Sequence, residues 1–193
     1  MTTPFHLSSE LDPPAKRAIV ATALELFSMH GVDGVNIRDI AAGAGFTNPA
    51  IFRHFASKEA LAQALFDRCY AALAHSLTAE PAIALQDRLI ACVALIKAAP
   101  QAVHFVLENL RRYWPTLPEA QRALPLPARM RLLVEAEQAA GRISASADPG
   151  LASILLLGAL GQVARLALFD ELPDPAEHFA QSLWTLLFRG LEN

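Results

Sequence analysis

The sequence has only two cysteines among its 193 residues, Cys69 and Cys92, and neither belongs to a CxxC pair or to a Cys/His spacing that binds metal. These spacings would be needed for a zinc module. Both cysteines stand among helix-forming residues, so we expect two buried thiols in a reducing cytosol. The hydrophobic content of 53% can supply a substantial core without covalent help.

The sequence also lacks a strong charge of either sign, with 16 lysines and arginines against 19 acidic residues. Any contact with nucleic acid must therefore depend on where a few cations lie. The first residues contain no basic start followed by an apolar stretch, and the uncharged run over 149–164 stops at Arg165 and includes Ser153 and Gln162. We expect a cytoplasmic chain with no secretion signal and no membrane span.

Catalytic signatures are missing as well. The sequence has no Gly-x-Ser-x-Gly, phosphate-binding glycine-rich loop, HExxH or paired-carboxylate pattern. His104 and Glu108 stand four residues apart and could share a metal, but no third ligand has a suitable spacing, and a hydrogen bond along a helix is the simpler interpretation. We expect no enzyme, no metal and no cofactor. An enzyme and a purely structural helical interaction module are the two alternatives.

Apolar residues recur at helical spacing along nearly the whole chain, which predicts an all-α fold of about nine helices. Asp12 and Pro13 mark the start of the first helix, and Gly31 marks its end. Beyond about residue 78, prolines and glycines divide the chain into five further helices, the last two near 149–170 and 175–191. The predicted core face of the first helix consists of Ile19, Ala23, Leu26 and Phe27.

Residues 36–55 have the anatomy of a helix-turn-helix. Asn36 can cap a short helix, with Asp39 in the capping-box position, and Gly45 can take the left-handed conformation of a tight turn. Thr47 can cap the second helix, and Ser57 the long helix that follows. An apolar wedge between the helices is predicted from Ile40, Phe46, Ile51 and Phe55, with Phe46 and Ile51 placed as a hydrophobic staple.

The short turn makes the second helix a protruding element that can enter a DNA major groove. Its exposed side chains can donate hydrogen bonds or touch thymine methyl groups. Two further cations flank it where phosphates would lie, and the helix N-termini add backbone N–H donors. The predicted DNA-binding residues are Arg38, Thr47, Asn48, Pro49, Phe52, Arg53, His54 and Lys58.

Five short features follow one another between residues 17 and 65: a helix ending in Phe-x-x-x-Gly, an Ile-Ala helix, an Ala-Gly turn, an aromatic-rich helix end, and Phe-x-x-Lys-Glu-x-Leu. They stand at Phe27 to Gly31, Ile40-Ala41, Ala44-Gly45, Phe52 to Phe55, and Phe55 to Leu61. In this order they resemble the DNA-binding domain of the TetR family of transcriptional regulators.

The resemblance implies phosphate contacts by Lys58, His54 and the capping hydroxyl of Thr47, and base contacts from the segment 47–53. The family usually carries glycine at the place of Pro49 and tyrosine at the place of Phe52. Proline lacks the N–H and phenylalanine lacks the hydroxyl, so the two phosphate contacts that these groups make in the family are not expected here.

The resemblance further implies a DNA-binding domain over 1–57 and an effector-binding and dimerisation domain over 58–193. The last two helices would pair with those of a second copy, and their apolar surface exceeds what one subunit can bury. The residues predicted for this face are Leu155, Gly158, Ala159, Gln162, Val163, Phe179, Leu183, Trp184, Leu187 and Phe188.

A ligand pocket is predicted within 101–133, for a mostly apolar molecule that is aromatic or acidic. The predicted lining consists of His104, Phe105, Leu110, Arg111, Tyr113, Trp114, Met130 and Leu133, with Arg112 as a further polar anchor. The alternative is that these aromatic residues belong to the hydrophobic core without binding a ligand, and that the arginines lie on a solvent-exposed helix face. The function implied is that of a dimeric repressor, released from a palindromic double-stranded DNA operator by a small molecule.

Overall fold

The computed structural model describes residues 12–78 and 83–188, and within these ranges it contains ten α-helices, one short 3-10 helix and no strand. The all-α prediction is confirmed. The helix beyond the predicted number is the short α7, in a proline-rich stretch. The helices are α1 Pro14–His30, α2 Ile37–Ala44, α3 Asn48–Phe52, α4 Lys58–Thr78, α5 Leu85–Ala98, α6 Pro100–Tyr113, the 3-10 helix Trp114–Thr116, α7 Glu119–Ala123, α8 Leu126–Ala139, α9 Pro149–Leu168 and α10 Ala176–Phe188.

The chain forms two compact units. The first, called here the helix-turn-helix unit, consists of the chain up to Ala72 together with Gln101–Leu117, and so contains α1, α2, α3 and α6. The second, called the C-terminal unit, consists of Leu73–Pro100 and the chain from Pro118 onward. The division between compact units falls inside α4, whereas the functional boundary between residues 57 and 58 stays a prediction.

The first helix begins at Pro14 rather than directly after Asp12, with Pro13 at the N-cap. Asp12 does not cap it, because its carboxylate accepts hydrogen bonds from Lys16 Nζ at 2.8 Å and from Arg68 Nη1 at 3.0 Å. The hydrogen bond from Lys16, aided by Arg68, lowers the pKa of Asp12 to about 2. Asp12 therefore ties the start of α1 to α4.

The buried face of α1 differs from the prediction at three positions. Val20 and Leu24 are buried although they were not predicted, and Leu26 is only half-buried. Leu24 lies four residues after Val20, so these two side chains share the stripe that faces the core. Gly31 ends the helix with φ +69°, as predicted.

The capping chemistry predicted for the helix-turn-helix is confirmed at three points. Asn36 Oδ1 accepts hydrogen bonds from the backbone N–H groups of Arg38 and Asp39, and Asp39 Oδ2 accepts one from the Asn36 N–H. Gly45 has φ +73° and ψ 28°, the left-handed conformation. Ser57 Oγ accepts from the N–H of Ala60.

Two details of the predicted helix-turn-helix are wrong. Thr47 stands at the N-cap of α3, but its side chain makes no capping hydrogen bond. The wedge between the helices is formed by Ile40, Ile51 and Phe55, which are buried, whereas Phe46 is 36% exposed. The three buried side chains fill the space between the helices. Phe46 follows the left-handed Gly45 directly and lies at the surface.

Aromatic contacts fix α6 within the helix-turn-helix unit. Phe105 on α6 stacks on Phe27 of α1, with ring centroids 6.0 Å apart. Tyr113 at the end of α6 packs on Phe66 of α4 at 5.4 Å. Aromatic pairs add to the free energy of burial, so α6 is anchored on both α1 and α4.

In the C-terminal unit, α8 packs on α9, and α5 packs on both α9 and α10. By length and composition alone, α9 is apolar enough to cross a membrane, with a mean hydropathy of 1.8. A core helix of a soluble protein meets the same criterion, and α9 has buried residues against its neighbours, as the sequence predicted for a buried or interface helix. Cys69 in the helix-turn-helix unit and Cys92 in the C-terminal unit are buried free thiols, as predicted.

We predict that Asp12→Asn removes an acid-dependent part of the stability. The pKa of Asp12 in the folded chain is about 2, below the ordinary 3.8, so the carboxylate stabilises the fold above pH 3.8, and this stabilisation is lost as the pH falls towards 2. The wild-type Tm, followed by circular dichroism, should therefore fall more steeply than that of the variant over this interval. Glu25→Gln, on the exposed side of α1, should keep the wild-type slope. Equal slopes of Tm against pH for wild type and Asp12→Asn would contradict the stabilising role of the Asp12 carboxylate.

Candidate nucleic-acid interface

The predicted DNA-binding residues lie on and around α3, which is only five residues long. Its one fully buried side chain is Ile51, and Phe55 is buried just after it. Together with Ile40 these two residues form the apolar wedge that holds the short helix in place. The exposed predicted residues are Arg38, Thr47, Pro49, Phe52 and Arg53, and the half-buried ones are Asn48, His54 and Lys58.

The exposed surface of α3 combines polar and apolar groups. Because Thr47 makes no capping hydrogen bond, its hydroxyl is available to a phosphate or a base. Arg53 carries a guanidinium just after the last turn of α3, where it can donate to a base edge or a phosphate. Phe52 is 50% exposed and, with Pro49, offers an apolar surface suited to thymine methyl groups.

Lys58 has an internal role that the sequence did not indicate. Its ammonium group donates hydrogen bonds to the backbone carbonyls of Val32 at 2.7 Å and Val35 at 2.8 Å. Two of its three protons are therefore used to hold the turn between α1 and α2, and one remains for a phosphate. No local pattern could have revealed this, because the two partners precede Lys58 by 26 and 23 residues.

Arg112, predicted as a further ligand anchor, is also occupied inside the unit. Its guanidinium donates to both carboxylate oxygens of Asp33 at 2.9 Å, and to both oxygens of Glu59 at 3.0 Å. The pKa of Arg112 is raised, chiefly by the hydrogen bond to Asp33. These residues, called the Arg112 cluster, connect the end of α6 to the turn after α1 and to the start of α4.

Tyr113 completes the Arg112 cluster. Its hydroxyl donates to Glu59 Oε1 at 2.8 Å. Burial, together with this carboxylate, raises the pKa of the Tyr113 phenol. The phenol therefore stays protonated at neutral pH and acts as a donor in the cluster.

The predicted ligand-binding residues divide between the two compact units. Phe105 and Tyr113 are buried in the helix-turn-helix unit, Trp114 is half-buried there against Tyr70, and Leu110 is exposed. Met130 and Leu133 lie on α8 in the C-terminal unit, the first buried and the second half-buried.

Three of the eight predicted lining residues, and the further anchor Arg112, come together at a cleft within the helix-turn-helix unit. The cleft has a volume of about 660 Å³ and lies between α6 and the end of α1 with the turn that follows. His104, Phe105 and Arg111 line it from α6. In the described ranges, no three His, Cys, Asp or Glu side chains are placed to hold a metal ion, so His104 and Glu108 gain no third ligand.

Comparison with known proteins agrees with the helix-turn-helix geometry. Residues 19–65 match the model of the family described as bacterial regulatory proteins, tetR family. The chain is similar to the tetracycline repressor protein class A from transposon 1721 of Escherichia coli, at 31% identity over 123 residues. The match covers 64% of this chain and 56% of the relative, so the chain spans about half the length of this curated relative.

Solved structures share the fold over nearly the whole chain. KstR2 of Mycobacterium tuberculosis, a ketosteroid transcriptional regulator, gives a TM-score of 0.75 at 16% identity, covering 97% of this chain and 99% of that one. A regulatory protein of the tetR family from Rhodococcus RHA1 gives 0.71 at 21%, covering 93% and 98%. FadR from Bacillus subtilis, solved with stearoyl-CoA, gives 0.63 at 16%, covering 91% and 99%.

We predict that Lys58→Met lowers the free energy of unfolding by about 1–3 kcal/mol, because the carbonyls of Val32 and Val35 lose a charged donor. The measurement is urea denaturation in the absence of DNA. Lys97→Met, which removes an exposed ammonium group paired with Asp174, should cost less than about 1 kcal/mol. A Lys58 variant as stable as wild type would show that this lysine has no structural role.

Proposed function

We propose that this chain, which belongs to the TetR family of bacterial regulatory proteins, is a dimeric, ligand-responsive transcriptional regulator that binds a palindromic operator. The observation that carries the proposal is the surface of α3. Thr47, Phe52 and Arg53 are exposed on a helix that is held from behind by the buried Ile51 and Phe55. A short, rigid helix with such a face fits a major groove.

Each part of this surface has a proposed contact. Thr47, His54 and the remaining proton of Lys58 would donate to phosphates, and Arg38, exposed near the start of α2, would add a further cation. Asn48 and Arg53 would donate to base edges. Pro49 and Phe52 would pack on thymine methyl groups or sugars.

We predict that Arg53→Ala lowers operator affinity about tenfold, the effect of losing one good base or phosphate contact. The measurement is fluorescence anisotropy on DNA selected from random sequence, repeated at several salt concentrations. Binding should fall steeply with salt, because phosphate contacts release counterions. Arg53 is a better position for this test than Lys58, because replacing Lys58 also removes the hydrogen bonds that hold the turn between α1 and α2.

Arg122→Ala is the matched control, because Arg122 is exposed on α7 in the C-terminal unit. Arg189 would serve the same purpose but lies outside the described residues. Equal affinities for the two variants would contradict the proposed DNA face. An absence of sequence-dependent binding would favour an enzyme or a helical interaction module instead.

The proposed dimer face lies on α9 and α10. On α9, Leu151, Ile154, Leu155, Gly158 and Gln162 are exposed at helical spacing, with Ile154 66% exposed. Such a row of apolar side chains is typical of an interface between helices. On α10, Leu186 is exposed and Phe179, Leu183, Trp184 and Leu187 are half-buried.

Two residues predicted for this face are buried within a single chain. Val163 is 2% and Phe188 3% exposed. Val163 lies on the side of α9 that also carries the buried Leu156 and Leu160, and Phe188 stacks on Trp184. The dimer face proposed here therefore omits both residues.

We predict that Leu155→Glu makes the chain monomeric at micromolar concentration, because a carboxylate in an apolar interface is left without a partner. The measurement is sedimentation velocity. Leu132→Glu is the control, because Leu132 is also about half exposed, on α8. A dimer that survives Leu155→Glu but not Leu132→Glu would place the interface elsewhere.

We further propose that a small molecule releases the chain from DNA in the cytoplasm, so that it acts as a repressor. The complex of FadR with stearoyl-CoA supports a small-molecule effector for this fold. Of the ligand-binding residues predicted from the sequence, Leu133 is half-buried and offers apolar surface in the C-terminal unit, whereas Met130 is buried there. The ligand would act by binding one arrangement of the recognition helices more tightly than the other.

A further inference from the structure

We propose that the cleft between the end of α1 and α6 binds a small aromatic carboxylate. This inference deepens the proposed ligand response, on which it rests, by naming a site and a ligand class. The cleft volume of about 660 Å³ is within the range of small-molecule sites. The cleft is lined only by residues of the helix-turn-helix unit.

The cleft is lined by two carboxylates, Asp33 and Glu108, and by two arginines, of which Arg111 can offer its charge to a ligand. Its neighbour Arg112 also lines the cleft, but its guanidinium is occupied by Asp33 and Glu59. For Arg111, which is exposed, the structure records no hydrogen bond or ion pair with the residues it describes. A guanidinium of this kind prefers a planar carboxylate, which it can bind through two parallel hydrogen bonds.

The geometry of α6 places a second polar group, the imidazole of His104, within reach of a ligand bound at Arg111. His104 precedes Arg111 by seven residues, so both lie on the same side of α6, about 10 Å apart along its axis. A two-ring aromatic acid is long enough to cover most of this distance, with its carboxylate at Arg111. Its far ring would then approach the imidazole of His104, which is half-buried at the cleft.

The opposite wall suits an aromatic ring. Met29 lies in the last turn of α1 and lines the cleft, yet its side chain is 60% exposed. Val32 adds a further apolar group to the same wall. A thioether makes favourable contacts with aromatic rings, and burying Met29 under a ligand would remove apolar surface from water.

A bound molecule would also touch the turn that leads into the helix-turn-helix. Residues 31–34 line the cleft, and Asn36, which caps α2, follows two residues later. Within the same turn, Asp33 is held by Arg112. Occupancy of the cleft would thus act on the segment that positions α2.

The test uses the full chain without DNA and 2-naphthoate as the probe. Titration by calorimetry should show one saturable site, and amide NMR shifts should concentrate in residues 28–34 and 104–112. The uncharged 2-naphthamide should bind about tenfold more weakly, because it lacks the charge for Arg111. No saturable binding, or shifts concentrated in another part of the chain, would overturn the proposal.

Three variants make the test specific to charge. Arg111→Gln should weaken 2-naphthoate binding about tenfold, and Glu108→Gln should strengthen it about threefold by removing a like charge three residues away. Arg122→Gln, at an exposed arginine outside the cleft, should leave it unchanged. Equal affinities for Arg111→Gln and Arg122→Gln would overturn the proposal. Operator binding by the ligand-free chain is measured separately, so it can stand when the cleft proposal fails.

Discussion

The turn between α1 and α2 is the point on which the geometry of the proposed DNA-binding surface depends, and two cations hold it. Lys58 donates to two backbone carbonyls of the turn, and Arg112 binds Asp33 within it. Buried or half-buried carbonyls need donors, and a charged donor is stronger than a neutral one. Since Lys58 begins α4 and Arg112 lies near the end of α6, the two cations join three segments of the chain at a single turn.

The recognition helix has little stability of its own. Five residues cannot form a stable isolated helix, because the cost of nucleation exceeds the gain from so few hydrogen bonds. Its conformation comes from the buried Ile51 and Phe55 behind it and from the left-handed Gly45 before it. The exposed residues of α3 do not contribute to this support. Pro49 and Phe52, which differ from the usual family residues, therefore change the contact surface but leave the buried residues behind the helix unchanged.

Features set by chemistry within a few residues could be predicted from the sequence, and features set by distant contacts could not. The capping box at Asn36, the turn at Gly45 and the cap at Ser57 each depend on partners no more than three residues away or on one backbone angle. The partners of Lys58 and Arg112 lie 23 to 79 residues away, and no periodicity records them. The same limit applies to α6, whose place beside α1 follows from the stacking of Phe105 on Phe27.

Because Lys58 and Arg112 are engaged in hydrogen bonds within the chain, fewer cations remain for contacts with DNA. The chain has a net charge of −3, and in the helix-turn-helix unit Arg112 is occupied and Lys58 retains one proton. Along 36–58, the lysine and arginine side chains that are exposed are those of Arg38 and Arg53, so one recognition surface can neutralise only a few phosphates. Two surfaces held at a fixed spacing bind as one, because the second contact becomes intramolecular. For a surface with so few exposed cations, we therefore propose that pairing through α9 and α10 is a condition of tight operator binding rather than an addition to it.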